Sequence, residues 1–432
     1  MWRRLKRYLA SDQTHAVLDR LVSRGASAAT GLIVAIFVSP SDAGAYAMAM
    51  LVLTFVLAVG EQAARQVGVR ASRHEGGAAL MRRAALASSA GGFIVMAVFL
   101  VVAPAAGAIE WHQSAKLVPL LGVPVICGAV LPRLCAAQAA GEWRAVSKAQ
   151  TIGSSISIIV AVPLAPVVGI GAASLQSLAA EGLFALQLRK RNFPHPTLGS
   201  TRLWRRYLLP TSINGAMGWL QGQADRLVVA IMGSAAVLGQ LSIAASLART
   251  PIDAALLGYV NLLRAELAKQ DSRELKRAVL DRYLPRLLTG ALVLQALVSV
   301  LTAFVVAPLL GGPWAPAIAL VPLLAASAAP AAATWSLSAA IIDEARARAL
   351  VPWQIMGVGL SLAAGYGFAQ SLVLGAILAW IRDIIALIAR SWLAGNLLSR
   401  RLRWWSVAAT GIGAIVAGVG YSFLSGRFGI GA

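Results

Sequence analysis

Charged side chains within long apolar segments are the residues of this sequence that could do chemistry. Arginine is frequent among them, and a guanidinium group binds phosphate oxygens through two parallel hydrogen bonds. An ionisable group in the hydrocarbon of a membrane is costly, so it usually faces a partner or a cavity. The arginines that we predict to bind an anion are Arg24, Arg65, Arg133, Arg226 and Arg249.

Acidic residues accompany these arginines and are candidates for charge pairing or for carrying a coupling ion. They are Glu61, Asp225 and Asp253. Glu61 precedes Arg65 by four residues, and Arg249 precedes Asp253 by four, a spacing that allows an ion pair within one helix. Such pairs could also do no more than neutralise one another.

Several of these residues have structural alternatives. Arg24 and Arg133 could extend their side chains to the inner membrane surface, and Asp225 could form a hydrogen bond between packed helices. Arg249 is harder to assign to a structural role, because it falls near the middle of an apolar segment. Two further acids, Glu181 and Asp383, are interpreted as structural residues.

The elements that must position these side chains are membrane helices. Of the 432 residues 58% are hydrophobic and 13% are charged, whereas a soluble domain has about 25% charged residues. Apolar segments of about 20 residues recur, the length of a helix that spans a bilayer. Helices are predicted at 16–39, 43–68, 84–107, 117–140, 149–168, 170–188, 206–232, 239–263, 284–309, 316–342, 350–369, 371–395 and 406–425.

The net charge of +21 is explained by the loops between these segments. Lys and Arg gather in alternate loops, which predicts a cytoplasmic N-terminus by the positive-inside rule and gives no reason to expect nucleic-acid binding. The basic, amphipathic N-terminal stretch is expected to lie on the inner membrane surface. Cys127 and Cys135 are eight residues apart on one helix, so we interpret them as small core residues that do not form a disulfide.

The chain is predicted to contain two lobes of six helices each. The N-terminal lobe covers 1–188, a cytoplasmic linker 189–205, and the C-terminal lobe 206–395. Residues 396–432 add a basic loop and a thirteenth helix. Both lobes start from the cytoplasm, which makes the repeat parallel, and parallel repeats with a site between them are one transporter plan.

A short internal repeat supports this division. The segment Leu32–Ile36 aligns with Leu227–Ile231, and in the same register Ser39 aligns with Ser234. The repeat preserves the apolar residues but not the charges. We therefore expect the shared pattern to specify the fold and the unshared charges to specify the substrate.

The sequence lacks the motifs of several enzyme classes. It contains no P-loop, no HExxH, no paired Cys/His spacing for a metal and no Gly-x-Ser-x-Gly elbow. Its loops are too short for an extracytoplasmic domain. A transporter without a bound cofactor is therefore expected, in preference to an enzyme.

Two stretches resemble bacterial polysaccharide flippases of the Wzx type, in the multidrug/oligosaccharidyl-lipid/polysaccharide (MOP) exporter superfamily. The first runs from SPSDAGAYAMAM to GEQAARQVGVR. The second is LLPTSINGAMGWLQGQADRLVVAIMGSAAVLGQLSIAASLARTPIDA, where Asp225 precedes an apolar run and Gly239 starts the next helix, as in the family's seventh and eighth helices. A thirteenth helix departs from the family's usual twelve or fourteen.

The resemblance implies a central cavity lined by the first, second, seventh and eighth helices. It also implies transfer of a polyprenyl-diphosphate-linked oligosaccharide from the inner to the outer leaflet of the bacterial cytoplasmic membrane by alternating access. The expected partners are this lipid, the bilayer, a glycan polymerase and glycosyltransferases. Coupling to a proton or sodium gradient, or to the membrane potential, stays open. Two alternatives remain: a cation-coupled drug exporter of the same superfamily, and a scaffold without transport in a glycan assembly complex.

Overall fold

The computed structural model describes residues 32, 35–71, 77–189, 202–267, 269–270, 272–343 and 347–430, and every regular element in these ranges is helical. The predicted all-α fold class is confirmed. The α-helices of this part of the chain are α1 (Pro40–Leu57), α2 (Ala63–Ala71), α3 (Gly77–Ala105), α4 (Trp111–Leu117), α5 (Gly122–Ala139), α6 (Trp143–Val168), α7 (Ile170–Leu188), α8 (Arg202–Met232), α9 (Ala235–Leu267), α10 (Arg273–Leu301), α11 (Ala307–Leu310), α12 (Ala315–Ala325), α13 (Ala328–Asp343), α14 (Val351–Gln370), α15 (Leu372–Ala394) and α16 (Arg400–Phe428).

Long apolar helices make this a multi-pass membrane protein. Seven segments of the described chain are long and apolar enough to cross a bilayer, or eight if α12 and α13 form one bent span. The helices α7, α8, α9 and α14 are also long, with 19, 31, 33 and 20 residues, but they are less apolar. Glu181 lies in α7, Asp225 and Arg226 in α8, and Arg249 and Asp253 in α9, so three of these four helices hold candidate site residues or buried acids.

The two serines of the internal repeat have the same local role. Ser39 is the N-cap of α1, and its Oγ accepts a hydrogen bond from the Asp42 main-chain nitrogen at 3.1 Å. Ser234 precedes α9, and its Oγ accepts one from the Val237 nitrogen at 3.3 Å. In each case the hydroxyl satisfies an N–H three residues ahead that would otherwise lack a partner. Each of the two aligned serines thus lies at the start of a helix.

The segment predicted as one helix over 43–68 contains a π-helical turn. It consists of α1, a π-helix at Ala58–Gln62 and α2. A π-helical turn inserts one extra residue, and such turns occur often at functional sites. Glu61 lies in this turn, which shifts its side chain relative to the face that a regular α-helix would give it.

The helix predicted over 316–342 is broken, and the prediction of one continuous helix there is wrong. The segments Gly312–Ala325 and Ala328–Ile342 meet at an angle of 43°. Pro330 lies just after the break, where it has no N–H to donate to the carbonyl of Ala326 four residues earlier. The missing hydrogen bond and the proline ring account for the bend.

The C-terminal helix α16 is present and longer than predicted. Ser399 is its N-cap, and Gly429 ends it in the left-handed conformation at φ 62°. Gln295 of α10 donates a hydrogen bond to the carbonyl oxygen of Gly413 in α16 at 2.6 Å. The small residues of α16 allow this close approach.

The chain divides into two compact units, Met1–Gly222 and Gln223–Ala432. The division falls inside α8, so one continuous helix contributes residues to both units. The predicted six-helix lobes, with their linker at 189–205, stay a prediction.

Gly365 of α14 provides a test of packing in the second unit. A Cβ added there would lie 2.6 Å from the carbonyl oxygen of Asp225 and 2.7 Å from the Cβ of Val228, both on α8. We expect Gly365→Ala to lower the free energy of unfolding by about 1–3 kcal/mol, because the α8 backbone must move. Thermal unfolding in detergent measures the effect. Gly359→Ala on the same helix meets nothing within 4 Å and is the control; equal stability of the two variants would contradict this packing.

Candidate functional site: charged clusters in the two units

Arg382 of α15 is the centre of an ionic network in the second unit. Its Nε donates to Asp383 Oδ1 at 2.9 Å, and its Nη1 lies 3.8 Å from Asp225 Oδ2 on α8. The same Nη1 donates to Ser361 Oγ of α14 at 3.2 Å. The three charged side chains are only 11–15% exposed. A buried carboxylate needs a counter-charge, and Arg382 supplies it to Asp225 and Asp383. Through these contacts and the one to Ser361, Arg382 links α8, α14 and α15.

Arg249 of α9 is held less closely. Its Nη2 lies 3.9 Å from Asp383 Oδ2, at the outer limit of an ion pair, and Asp383 already accepts a hydrogen bond from Arg382. The Nε of Arg249 is buried without a hydrogen-bond partner in the part of the chain that the structure describes. A guanidinium carries five N–H donors. Arg249 therefore has donors left to bind a further anion.

Two more arginines adjoin this network. Arg226 Nη1 donates to Gln223 Oε1 at 3.3 Å, and its charge interacts with those of Asp225 and Arg249. Arg390 Nε donates to Ser338 Oγ at 3.3 Å, and its charge interacts with that of Asp383. Neutral amide and hydroxyl groups thus orient these two guanidiniums without cancelling their charge.

We call this set the second-unit charge cluster; it consists of Asp225, Arg226, Arg249, Arg382, Asp383 and Arg390. It contains four arginines and two aspartates. Asp253 is one turn from Arg249 along α9, and an excess of positive charge remains when it is included. The arrangement suits an anion with several oxygens, such as a phosphate or diphosphate.

A second cluster lies in the first unit, around the π-helical turn. Arg65 of α2 donates from Nε to Gln138 Oε1 of α5 at 3.1 Å. The Nε2 of Gln138 is buried and has no hydrogen-bond partner among the described residues. The charge of Arg65 also interacts with that of Glu61. The guanidinium of Arg65 thus forms its hydrogen bond with Gln138 on another helix, although Glu61 precedes Arg65 by only four residues.

Glu181 of α7 adds a second carboxylate to this region. The Cys127 thiol of α5 donates a hydrogen bond to it, and its charge interacts with those of Glu61 and Arg65. We call Glu61, Arg65, Gln138 and Glu181 the first-unit acidic cluster. The charges of the two carboxylates repel one another and both interact with that of Arg65, so a proton or another cation on one carboxylate relieves the repulsion. The interpretation of Cys127 and Cys135 as buried, unpaired thiols is confirmed.

The predicted site residues divide between these clusters. Glu61 and Arg65 belong to the first, and Asp225, Arg226 and Arg249 to the second. Asp253 lies in α9, Arg133 lies half-buried in α5 outside both clusters, and Arg24 lies outside the described residues.

The sequence interpretation did not assign three members of the second-unit charge cluster to the site: Arg382, Asp383, which it interpreted as structural, and Arg390. An adjacent Arg–Asp pair within an apolar segment was the available signal for the first two. Among the described residues, no group of three or more His, Cys, Asp or Glu side chains is placed to hold a metal ion.

Comparison with known proteins shows the family and the fold of this chain. A family model described as polysaccharide biosynthesis protein matches residues 33–319. A search of curated protein sequences returned no match.

Solved structures show the fold. The lipid II flippase MurJ in an inward closed conformation superposes with a TM-score of 0.70 at 12% identity, covering 95% of this chain and 99% of that chain. An outward-facing multidrug resistance MATE family transporter of the MOP superfamily has a TM-score of 0.63 at 13% identity and covers 89% and 95%. A MOP superfamily transporter from Pyrococcus furiosus, described as having a binding pocket of reverse polarity, has a TM-score of 0.55 at 13% identity and covers 97% and 95%. The predicted resemblance to the MOP superfamily is confirmed.

Proposed function

The chain belongs to the polysaccharide biosynthesis protein family and has the fold of MOP transporters, and from this premise we propose that it is a flippase for a lipid-linked oligosaccharide. It carries a polyprenyl-diphosphate-linked oligosaccharide from the inner to the outer leaflet of the bacterial cytoplasmic membrane by alternating access. The solved structures that share its fold are a flippase and transporters, and we assign this chain the same kind of activity in preference to an enzymatic one.

The observation that carries this proposal is the incomplete pairing of Arg249 inside a cluster with excess positive charge. A diphosphate has many acceptor oxygens and at least two negative charges, which a guanidinium group binds in a fork. Arg249 and Arg226 are its ligands in the second unit. Arg24, Arg65 and Arg133 are the further arginines that we assign to the transport route.

The substrate class has consequences for location and partners. A lipid-linked oligosaccharide is made at the inner face of the cytoplasmic membrane, so the protein lies in that membrane, with its N-terminus in the cytoplasm. Glycosyltransferases supply the substrate, and a glycan polymerase consumes the flipped product. The lipid tail stays in the bilayer while the diphosphate and the sugars cross.

The charge of the clusters bears on the alternative substrates. A drug exporter for cations needs carboxylates on the wall of its binding site. In the second unit the guanidiniums exceed the carboxylates, and each carboxylate of the ionic network already has an arginine partner. The second-unit charge cluster therefore favours an anionic substrate over a cationic one.

The first-unit acidic cluster supports coupling to a proton gradient. The charges of Glu61 and Glu181 both interact with that of Arg65, which donates a hydrogen bond to Gln138. We expect Glu61→Gln to abolish the dependence of the transport rate on an imposed pH gradient, because an amide cannot bind and release a proton as a carboxylate does. Glu274→Gln changes an exposed carboxylate at the start of α10 and is the control. Transport by Glu61→Gln that still follows the pH gradient would exclude Glu61 as the proton carrier.

Deletion of the gene tests the proposed function in cells. A strain without the protein is expected to lose its surface glycan and to accumulate the lipid-linked oligosaccharide in the inner leaflet. The wild-type gene must restore both. A deletion strain that has normal surface glycan and no accumulated intermediate would contradict the proposal.

A further inference from the structure

A cavity of about 460 Å³ lies between α10 and the start of α16, outside both charged clusters. Its wall includes Asp281, Arg282 and Arg286 from α10, with Ser399, Arg401 and Leu402 from the beginning of α16. We call it the α10–α16 pocket. Its volume falls within the range of small-molecule sites, roughly 300–1,000 Å³.

The α10–α16 pocket carries an excess of positive charge. Three arginines face one carboxylate, and Asp281 accepts a 2.6 Å hydrogen bond from Ser399 Oγ. The N-terminus of the 29-residue helix α16 adjoins the pocket, and its macrodipole adds to the positive potential. Both features favour an anion with several oxygens.

Two of the arginines are oriented by aromatic neighbours. The guanidinium of Arg282 lies 5.9 Å from the ring centroid of Tyr283, within the range of a cation–π contact. Arg286 forms a hydrogen bond with Tyr259 of α9. These contacts restrict the side chains without neutralising them, so less entropy is lost when an anion binds.

The position of the pocket indicates a lipid. It lies near the ends of two membrane-spanning segments, Arg273–Leu310 and Arg400–Phe428. Trp404, one turn into α16, is 65% exposed, and the adjacent Trp405 is 37% exposed. Tryptophan at this place is typical of the membrane–water interface, the level of lipid head groups.

We propose that the α10–α16 pocket binds the phosphate of an anionic phospholipid head group in the leaflet that the sequence places on the cytoplasmic side. Basic pockets between membrane helices on that side recognise anionic head groups. The acyl chains then lie along the apolar surface of α10 and α16 below the pocket. Lipid binding in this pocket is independent of the transported substrate.

Lipid binding to the purified full-length protein tests the proposal. Native mass spectrometry in a neutral detergent, with phosphatidylglycerol or phosphatidylcholine titrated in, gives the affinity for each lipid. We expect selective binding of phosphatidylglycerol, which Arg282→Gln/Arg286→Gln weakens by roughly tenfold or more, because two of the three basic side chains of the pocket are lost. Arg282→Lys/Arg286→Lys is expected to retain part of the binding.

A matched control lies on the same helix. Arg273 and Arg277 have the same four-residue spacing about two and a half turns earlier in α10 and are not part of the pocket. Arg273→Gln/Arg277→Gln removes the same charge and is expected to change the affinity less than about twofold. Equal loss in both double variants, or none in the pocket variant, would overturn the proposal.

Two further arms complete the test. Arg401→Gln, on the opposite wall, repeats the experiment with α10 intact should the double variant fail to fold, and it is expected to weaken binding; unchanged affinity would count against the pocket. Inorganic phosphate is added as a competitor at the concentration of the lipid. It is expected to displace little phosphatidylglycerol. Phosphate that competes as well as the lipid itself would identify a free-phosphate site and reject the lipid.

Discussion

Replacement of Arg382 by alanine is expected to lower the free energy of unfolding by about 3–5 kcal/mol, the usual effect of removing one partner from a buried ion pair. The variant leaves Asp383 without its 2.9 Å hydrogen bond and Asp225 without its guanidinium neighbour at 3.8 Å. Both carboxylates are at most 15% exposed, so water cannot replace the lost partner. Thermal or denaturant unfolding of the purified protein in detergent measures the loss.

Two comparisons separate this effect from a general loss of charge. Arg277→Ala removes an exposed arginine from α10 and is expected to change stability by less than about 0.5 kcal/mol. The triple variant Asp225→Asn/Arg382→Met/Asp383→Asn neutralises both carboxylates together with Arg382 and is expected to recover part of the stability, because no unpaired carboxylate stays buried. An Arg382→Ala protein as stable as Arg277→Ala would contradict the ionic network.

Replacement of Arg249 by alanine is expected to affect transport far more than stability. Asp383 keeps its hydrogen bond to Arg382 when Arg249 is removed, so no carboxylate loses its main partner. A diphosphate would lose charge-assisted hydrogen bonds worth about 1.5–3 kcal/mol, which corresponds to a transport rate roughly 10- to 100-fold lower at limiting substrate. Surface glycan in complemented cells gives the first measurement, and the unfolding temperature gives the second.

Arg249→Lys refines this result. Lysine retains the positive charge but lacks the planar fork, so intermediate transport is expected. The opposite pattern, in which Arg249→Ala unfolds easily but transports normally when folded, would assign Arg249 to structure and remove it from the binding site.

Much of the fold could be predicted from the sequence because its determinants are local. Apolar length predicted the helices, but α1 starts at Pro40, three residues before the predicted start at 43, because Ser39 caps it. The π-helical turn at Ala58–Gln62 was not predictable, because an extra residue within a helix is stabilised by tertiary packing. The bend between α12 and α13 had a local signal in Pro330, but proline within an apolar helix does not by itself specify an angle.

The sequence predicted the residue types of the candidate site, but not which charged residues pair with one another. Arg249 was identified from its depth in an apolar segment, and the acidic residue close to it in the sequence is Asp253. In the structure Arg249 lies beside Asp383, which belongs to another helix far along the chain. Which carboxylate meets which guanidinium depends on how α8, α9 and α15 pack. The residue types are in the sequence, whereas their pairing depends on tertiary structure.

Reconstitution in liposomes tests the central claim most directly. Purified protein is incorporated into vesicles with a fluorescent polyprenyl-diphosphate-linked oligosaccharide, and appearance of the head group in the opposite leaflet is followed with an impermeant quencher. We expect wild-type protein to accelerate translocation over protein-free vesicles, Arg249→Ala to lose most of this acceleration, and Arg277→Ala to retain it. Wild-type protein that gives no acceleration, or Arg249→Ala that equals wild type, would contradict transport of a diphosphate-linked substrate through the second-unit charge cluster.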